Sequence, residues 1–597
     1  MSGIIKQRLN HLRVFMKKHQ INALIIPSSD PHMSEYLPKY WQGRQWLSGF
    51  TGSFGTLLVL ENQAFLWTDS RYWIQANIEL KNTTIELKKY GVDIDMVDFL
   101  SQNLPNHAKV AIDGNVLSVT QYECFIQNFS DKNIELISDL DLLNEVWQDR
   151  PPLPNQKTYI HSSDFIDDSI ENKLAHIRFE LKKSQADFHL ISSLDDIAWI
   201  TNLRGNDIEF NPVFLAYLFI SEDETILFIN SEKLDKKTTE PLNNNRIQIK
   251  DYFDIQDYLS NKQFDGGNLL IDPNKTAIGT LKHLSKNTVL TKQTNPSTLL
   301  KAIKNPKALK HIKNAMISDG AALCEFFAEF EQRLQNGERL SELDVADLLT
   351  QKRSQKPYYV SASFDTIAGF AKNGAIVHYK ADHDNFCYLD GDGLLLIDSG
   401  AQYQNGTTDI TRMMGIGDIN YQQKQDVTDV LKAHIALATA CFPKGTLASE
   451  LDVLARVKLW QKGLDYGHGT GHGVGYFLNV HEGPQSISKN APRTLERTMK
   501  IGMVTSNEPG LYRTDKWGIR LENLMVTVAA NKTEFGEFLT FETLTLCPFD
   551  TRLILIEQLN SEEKKWLNDY HQLVYDKLHD KVEGLAKTWL TARTRPV

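Results

Sequence analysis

The 597-residue chain is poor in cysteine: it has five, none in a CxxC pair. A disulfide framework and a thiolate zinc site both fail on that count. Cys124, Cys324, Cys387, Cys441 and Cys547 read instead as buried thiols acting as small apolar side chains. No stretch approaches the ~20 apolar residues that span a bilayer. The N-terminal MSGIIKQRLNHLRVFMKKHQ interrupts its apolar positions with charge, as an amphipathic helix does and a signal peptide does not. The cytoplasm is therefore the expected compartment, with no membrane partner. Basic excess is missing too. The formal net charge is -10, so no Lys/Arg cluster recommends nucleic acid as a partner. Low-complexity segments are also absent, and 41% apolar with 23% charged residues is ordinary globular composition. At roughly 100–200 residues per domain, the length calls for about three to six domains.

What is present begins with a repeat. At an offset of 165 residues, RVFMKKHQINALIIPSSD (13–30) aligns with RFELKKSQADFHLISSLD (178–195), with seven identities in eighteen. Arg13, Lys17, Lys18, Gln20, Ile26, Ser28 and Asp30 fall on Arg178, Lys182, Lys183, Gln185, Ile191, Ser193 and Asp195. Each copy runs from a helical pattern into an apolar strand, then a Trp-containing stretch, then two further strand candidates (56–60 with 64–68; 213–220 with 225–230). Two related α/β domains follow from that order. Asp149-Arg150-Pro151-Pro152-Leu153-Pro154 closes the first, because consecutive prolines interrupt helix and strand alike. The second ends near Asn295-Pro296-Ser297, and a long helical pattern follows Asn305-Pro306. The expected domains are 1–152, 153–299 and 300–597.

The chemistry gathers in the third domain, in three clusters. The apolar run Leu394–Ile397 ends in Asp398, and Asp409 follows Asn405-Gly406, a hairpin turn signal. A two-residue turn at Asn405-Gly406 would set Gln402 opposite Asp409. The two carboxylates would then stand about four residues, or roughly 13 Å, out of step. A shared metal requires a bend, with Gly400 the expected place; without one, both are turn residues on a solvated hairpin. The second cluster holds His468, His472 and His481 with seven glycines between Gly463 and Gly483. So many glycines exclude a helical i, i+4 histidine pair and suggest backbone held close to a ligand. In the third, Pro509 keeps Glu508 on an extended segment, and Glu522 interrupts the strand pattern Ile519, Leu521, Leu524, Val526, Val528. Arg520 and Glu522, two apart on a strand, share a face. Four carboxylates exceed what one catalytic ion uses. An oxygen-rich set with one imidazole suits two divalent ions, Mn²⁺ above all, then Co²⁺, Fe²⁺ or Zn²⁺. Spacing does not show which histidine is the ligand.

IDSGAQYQNGTTDITR, GHGTGHGVGYFLNVHEGP, NEPGLY and GIRLENL, with AKNGAIVHYK upstream, resemble the pita-bread metallopeptidases, most closely the Xaa-Pro aminopeptidase family in its long, three-domain form. The resemblance covers nearly the whole chain. It implies an α/β (α+β) architecture: two creatinase-like N-terminal domains followed by a pita-bread catalytic domain with a C-terminal extension. It implies that Asp398 chelates one ion, that Asp409 and Glu522 bridge both, and that His472 and Glu508 complete the other. A hydroxide bridging the ions would attack the N-terminal Xaa-Pro bond of a peptide and release the first residue, with Glu508 handling the proton. His378, His468 and His481 match histidines that contact substrate and stabilise the tetrahedral intermediate, and Arg520 matches an arginine that orients a ligand carboxylate. Two alternatives stand beside this. A prolidase would accept only dipeptides, and a non-catalytic binding protein would have lost several ligands, whereas all five are present. Trp566, Leu567, Tyr570, Leu573 and Val574 form the apolar face of a terminal helix, which packs on the catalytic domain or serves a homodimer.

Overall fold

The computed structural model describes residues 2–597 and divides into two compact units. The first comprises residues up to His161 with Asp168–Ser297; the second comprises Ser162–Asp167 with Thr298–Val597. No helix among the described residues is long and apolar enough to cross a membrane.

The first unit carries the repeat. Its two six-stranded sheets have the same order. One runs Ile85–Lys89, Ala64–Thr68, Thr56–Leu60, Ala23–Pro27, Lys109–Ala111, Glu135–Ile137; the other runs Ile247–Lys250, Thr225–Phe228, Tyr217–Ser221, Phe188–Ile191, Asn268–Ile271, Val289–Lys292. In both, the first strand lies centrally, antiparallel to the second and parallel to the fifth. The repeated residues perform the same tasks in both copies. Arg13 donates from Nε to the Leu60 carbonyl at 3.0 Å, and Arg178 to the Ser221 carbonyl at 2.9 Å, each acceptor being the last residue of the neighbouring strand. Gln20 (φ 57°) and Gln185 (φ 54°) take the left-handed conformation that ends each helix. The Ile21 N–H then closes on the Met16 carbonyl and the Ala186 N–H on the Leu181 carbonyl. The second strand of the second copy starts at Tyr217, later than the apolar run suggests, because Val213–Ala216 are buried without joining the sheet.

Ser162–Asp167 belongs to the second unit, where Phe165 enters an apolar cluster with Ile312 and Leu524, and its carbonyl accepts from the Tyr476 hydroxyl at 2.8 Å. The helix Pro306–Gln335 starts with Asn305 capping and Pro306 in the first turn, where a missing N–H costs nothing. It buries Ile312, Ala315, Leu323, Phe326 and Phe330. The C-terminal helix Ser561–Leu578 turns Leu567, Tyr570 and Val574 into the same apolar cluster as Leu396 and Met413. That face, except for the exposed Leu573, therefore packs on the second unit. Cys324 and Cys547 are buried, but Cys124 and Cys441 are exposed, against the expectation for all five. Both lie where the helix Val119–Phe129 and the edge strand Cys441–Pro443 present their outer faces.

Candidate metal centre

Every candidate carboxylate sits where the chain leaves one sheet for another. Strand Gly393–Ser399 lies between Ile367–Phe370 and Ile410–Ile416, while Ala401–Tyr403 pairs with Tyr359–Ala362 and Gly406–Thr407 in a different sheet. The crossing is at Gly400, where a Cβ would fall on the Thr408 carbonyl and the Ser363 hydroxyl. The hairpin register differs from the sequence expectation. Tyr403 pairs with Gly406, so the turn is Gln404-Asn405, one residue earlier. Neither Asn405 nor Gly406 takes the positive φ that the Asn-Gly turn requires. Gly406 instead lets the hairpin lie on the long helix, where its Cβ would meet the Ala315 Cβ at 2.9 Å. Asp398 therefore stands opposite Thr411, and Asp409 is two residues from that level, roughly 7 Å along a strand. The crossing closes the remaining gap.

The glutamates follow the same rule. Glu508 joins Val504–Asn507 to Gly510–Arg513, which belong to different sheets. Glu522 lies between Trp517–Arg520 and Asn523–Thr533; the continuous strand expected there is broken at residues 521–522 as the chain changes sheets. Both side chains nonetheless meet on one side: Arg520 donates from Nε to Thr411 Oγ1 at 3.2 Å, and Thr411 donates to Glu522 Oε2 at 2.8 Å. His472 lies on the short strand Gly471–Gly473, not on a helix.

These elements bring all five expected ligands together in overlapping groups whose ligand atoms lie within 4.8 Å of one another. The groups are Asp398, Asp409 and Glu522; His472, Glu508 and Glu522; and Asp409, His472 and His481. Glu522, Asp409 and His472 each occur in two of them. His472 Nε2 is 3.5 Å from Asp409 and 3.3 Å from Glu508, while its Nδ1 donates to the Gly473 carbonyl at 2.9 Å, leaving Nε2 to face the carboxylates.

The electrostatics call for cations. Asp398 Oδ2 accepts from Arg520 at 2.5 Å, but its buried Oδ1 has no hydrogen-bond partner. Burial pushes the Asp398 carboxyl up to about 6, Arg520 works against that, and Asp409 adds to it. Burial, with Asp409 and Glu508 behind it, raises Glu522 well above the carboxylate range. Burial would lower His472, yet Asp409 and Glu508 outweigh it and raise the imidazole to about 9. Without metal, this cluster gathers protons; divalent ions would take their place. Residues and charge both fit two such ions.

The other expected residues lie around this cluster. His481 stacks edge-on against His472, with ring centroids 4.3 Å apart. His468 donates from Nδ1 to its neighbour's carbonyl (Gly469) at 2.7 Å and accepts at Nε2 from the Tyr512 hydroxyl at 2.8 Å. Tyr512 in turn accepts from Arg520 at 2.6 Å. The tie from His468 to Asp398 thus runs through Tyr512 and Arg520. His378 is half-buried, and the carbonyl of its neighbour Val377 accepts from Arg520 at 3.3 Å. Sequence reasoning missed Thr411, Tyr512 and Ser506, which donates to Glu508 at 3.1 Å and accepts the His472 N–H at 2.9 Å. All three lie inside or beside the quoted motifs, but a hydroxyl in a motif carries no signal of its own.

Comparison with known proteins settles the family. The Creatinase/Prolidase N-terminal domain matches residues 8–145 and, in a second form, 149–308; Metallopeptidase family M24 matches 310–529, and the C-terminal region of that peptidase 537–597. The chain is 38% identical to the probable Xaa-Pro aminopeptidase P of Laccaria bicolor, over 99% of this chain and 93% of that one. This chain belongs to metallopeptidase family M24, in its Xaa-Pro aminopeptidase branch. It is a metalloexopeptidase by that membership. Xaa-Pro aminopeptidase 1 of Dictyostelium discoideum is 37% identical over 99% of this chain and 97% of its own length. The X-prolyl aminopeptidase structure from Caenorhabditis elegans, described as a cytosolic enzyme with a di-nuclear active site, superposes with a TM-score of 0.94 at 32% identity, covering 99% of this enzyme and all of that chain. The Xaa-Pro dipeptidase from Bacillus anthracis shares the fold at 21% identity and a TM-score of 0.50, over 64% of this enzyme.

Proposed function

We propose that this enzyme hydrolyses the N-terminal Xaa-Pro bond of peptides, in the cytoplasm, using two divalent ions, with Mn²⁺ the best match to the donor set. The reading is carried by the overlap of the three ligand groups, in which Asp409, Glu522 and His472 are shared; of these the two carboxylates have the two oxygens that sharing between ions needs. Asp398 would hold one ion, His472 and Glu508 the other, and Asp409 and Glu522 both. The ions would supply an activated water at neutral pH and a Lewis acid for the scissile carbonyl. The chain is read as three domains, 1–152, 153–299 and 300–597.

The protein's own groups do the rest. The side chain of Glu508 is 18% exposed, against 10% for Asp398 and 5% for Asp409. It is the carboxylate best placed to take a proton from water and return it to the departing proline nitrogen, which has no hydrogen of its own. Arg520, bonded to Asp398, Thr411 and Tyr512, holds the Asp398 carboxylate in orientation. His378, His468 and His481 hold the peptide and the oxygen that gains charge. His481→Ala is therefore expected to retain both metal ions and lose about 10- to 100-fold in kcat/KM. Loss of an ion, read by metal analysis, would make His481 a ligand instead.

The deciding assay sets Xaa-Pro-Yaa tripeptides beside Xaa-Pro dipeptides, with Mn²⁺ restored after chelation. Tripeptide cleavage without dipeptide cleavage is expected. The opposite pattern would make the enzyme a prolidase.

A further inference from the structure

One buried carboxylate takes no part in the chemistry above. Glu342 is the first residue of the helix Glu342–Ser354 and is fully buried. It does not cap that helix: Ser341 and Asp344 form the capping box. Its two oxygens turn instead to the segment that leaves the sheet after strand Ile367–Phe370 and comes back to this helix end at Cys387, before rejoining the sheet at Gly393. Oε1 accepts from the Phe370 N–H at 2.7 Å and from Asn373 Nδ2 at 3.0 Å. Oε2 accepts from the Tyr379 hydroxyl at 2.8 Å and from the Cys387 N–H at 2.7 Å. The Glu342 N–H completes the join by donating to the Cys387 carbonyl at 3.0 Å. A single carboxylate thus binds the start, the middle and the end of one excursion of the chain, filling about the four acceptor sites it possesses. That excursion carries His378 next to Tyr379, and its far side is held at the Val377 carbonyl by Arg520, the residue bonded to Asp398.

We infer that Glu342 is a positioning residue for the reaction: by clasping the 370–387 segment at both ends and at Tyr379, it sets where His378 stands relative to the metal centre. This rests on the reading of His378 as a substrate-contacting group. The chemistry of the clasp dictates the substitution that tests it. In Glu342→Gln, an amide NH2 replaces one oxygen. Whichever way the amide turns, it faces a backbone N–H, that of Phe370 or of Cys387, which can only donate. One end of the clasp must open. Tyr379→Phe removes the hydroxyl that donates to Glu342 and to the Asn385 carbonyl and accepts from Asn373, and leaves both backbone ends tied.

The test is a double-mutant cycle on the metal-loaded, full-length enzyme, comparing Glu342→Gln, His378→Ala and the pair, with metal content and kcat/KM measured on each. Glu342→Gln is expected to keep two ions and to lose about 10- to 100-fold in kcat/KM, the scale of a small misplacement of a reacting group. Adding it to His378→Ala should cost less than about twofold more, because the residue it positions is already gone. A purely structural role would give additive losses in the cycle. Additivity, an unchanged kcat/KM, or loss of metal in Glu342→Gln overturns the inference. If that variant does not fold, the same cycle with Tyr379→Phe decides, with a smaller loss of about three- to tenfold. Normal kcat/KM in His378→Ala would remove the reading of His378 itself, and the inference with it; impaired His378→Ala with additive Glu342→Gln would remove the inference alone.

Discussion

Glu508→Gln is expected to bind two metal ions at high Mn²⁺ and still turn over about 10²–10⁴-fold more slowly, the usual contribution of a placed general acid–base. The amide keeps the shape of the side chain and can still accept from Ser506, whose hydroxyl lies 3.1 Å from Oε1. What it cannot do is take up a proton. If Glu508 served only as a ligand, the defect would follow metal occupancy and disappear once occupancy is restored. Metal stoichiometry and kcat measured on the same samples separate the two cases. Near-normal turnover in the metal-replete variant would remove the proton-handling role.

Glu522→Gln should move activity and apo-protein stability in opposite directions. Glu522 belongs to two of the three ligand groups, so under the proposed assignment losing its charge would weaken the hold on both ions. Activity should fall by roughly 10³-fold or more, several kcal/mol of transition-state stabilisation. In the chelated protein the same change should stabilise. The Glu522 carboxyl is raised well above its ordinary value by burial first, then by Asp409 and Glu508. A carboxyl raised on folding binds more protons in the folded state, so stability is lost as pH climbs from about 4.5 towards the folded value. Glutamine has no such window. Metal-free Glu522→Gln should therefore melt above metal-free wild type at pH 7 and lose less stability between pH 5 and pH 8. A lower melting temperature for the metal-free variant would show that Glu522 is not under strain without metal.

Much of this protein was legible without coordinates, where local chemistry is self-announcing. The repeat could be read because helix ends and strand edges need the same atoms wherever they recur: Arg13 and Arg178 tie a helix to the neighbouring strand, and Gln20 and Gln185 end their helices in the same left-handed turn. The donor set could be read because carboxylates and imidazoles are costly to bury unless something pairs with them. The hairpin register could not. Asn405-Gly406 is a strong local turn signal, but tertiary packing uses Gly406 for close approach to the helix at Ala315 and moves the turn to Gln404-Asn405. The C-terminal helix shows a similar limit: its apolar face was visible, but not what it would pack against.

The sequence alone determined which groups are available, their order, and a family likeness long enough to cover the chain. Only the tertiary structure decided that they meet. Asp398 lies near the end of a strand, and Asp409, Glu508 and Glu522 lie in the joints between strands; read locally, their carboxylates point at different levels and towards different neighbours. They converge because each stands at a crossing between sheets, at Gly400, Pro509 and residues 521–522, where the pairing pattern of one sheet ends and the chain turns inward. The physical reason is that strand periodicity reports which face a residue takes within one sheet, whereas a site assembled between sheets depends on how those sheets pack. The same holds for Glu342 and Tyr512, ordinary residues in the sequence whose hydrogen-bond partners lie up to 45 residues away.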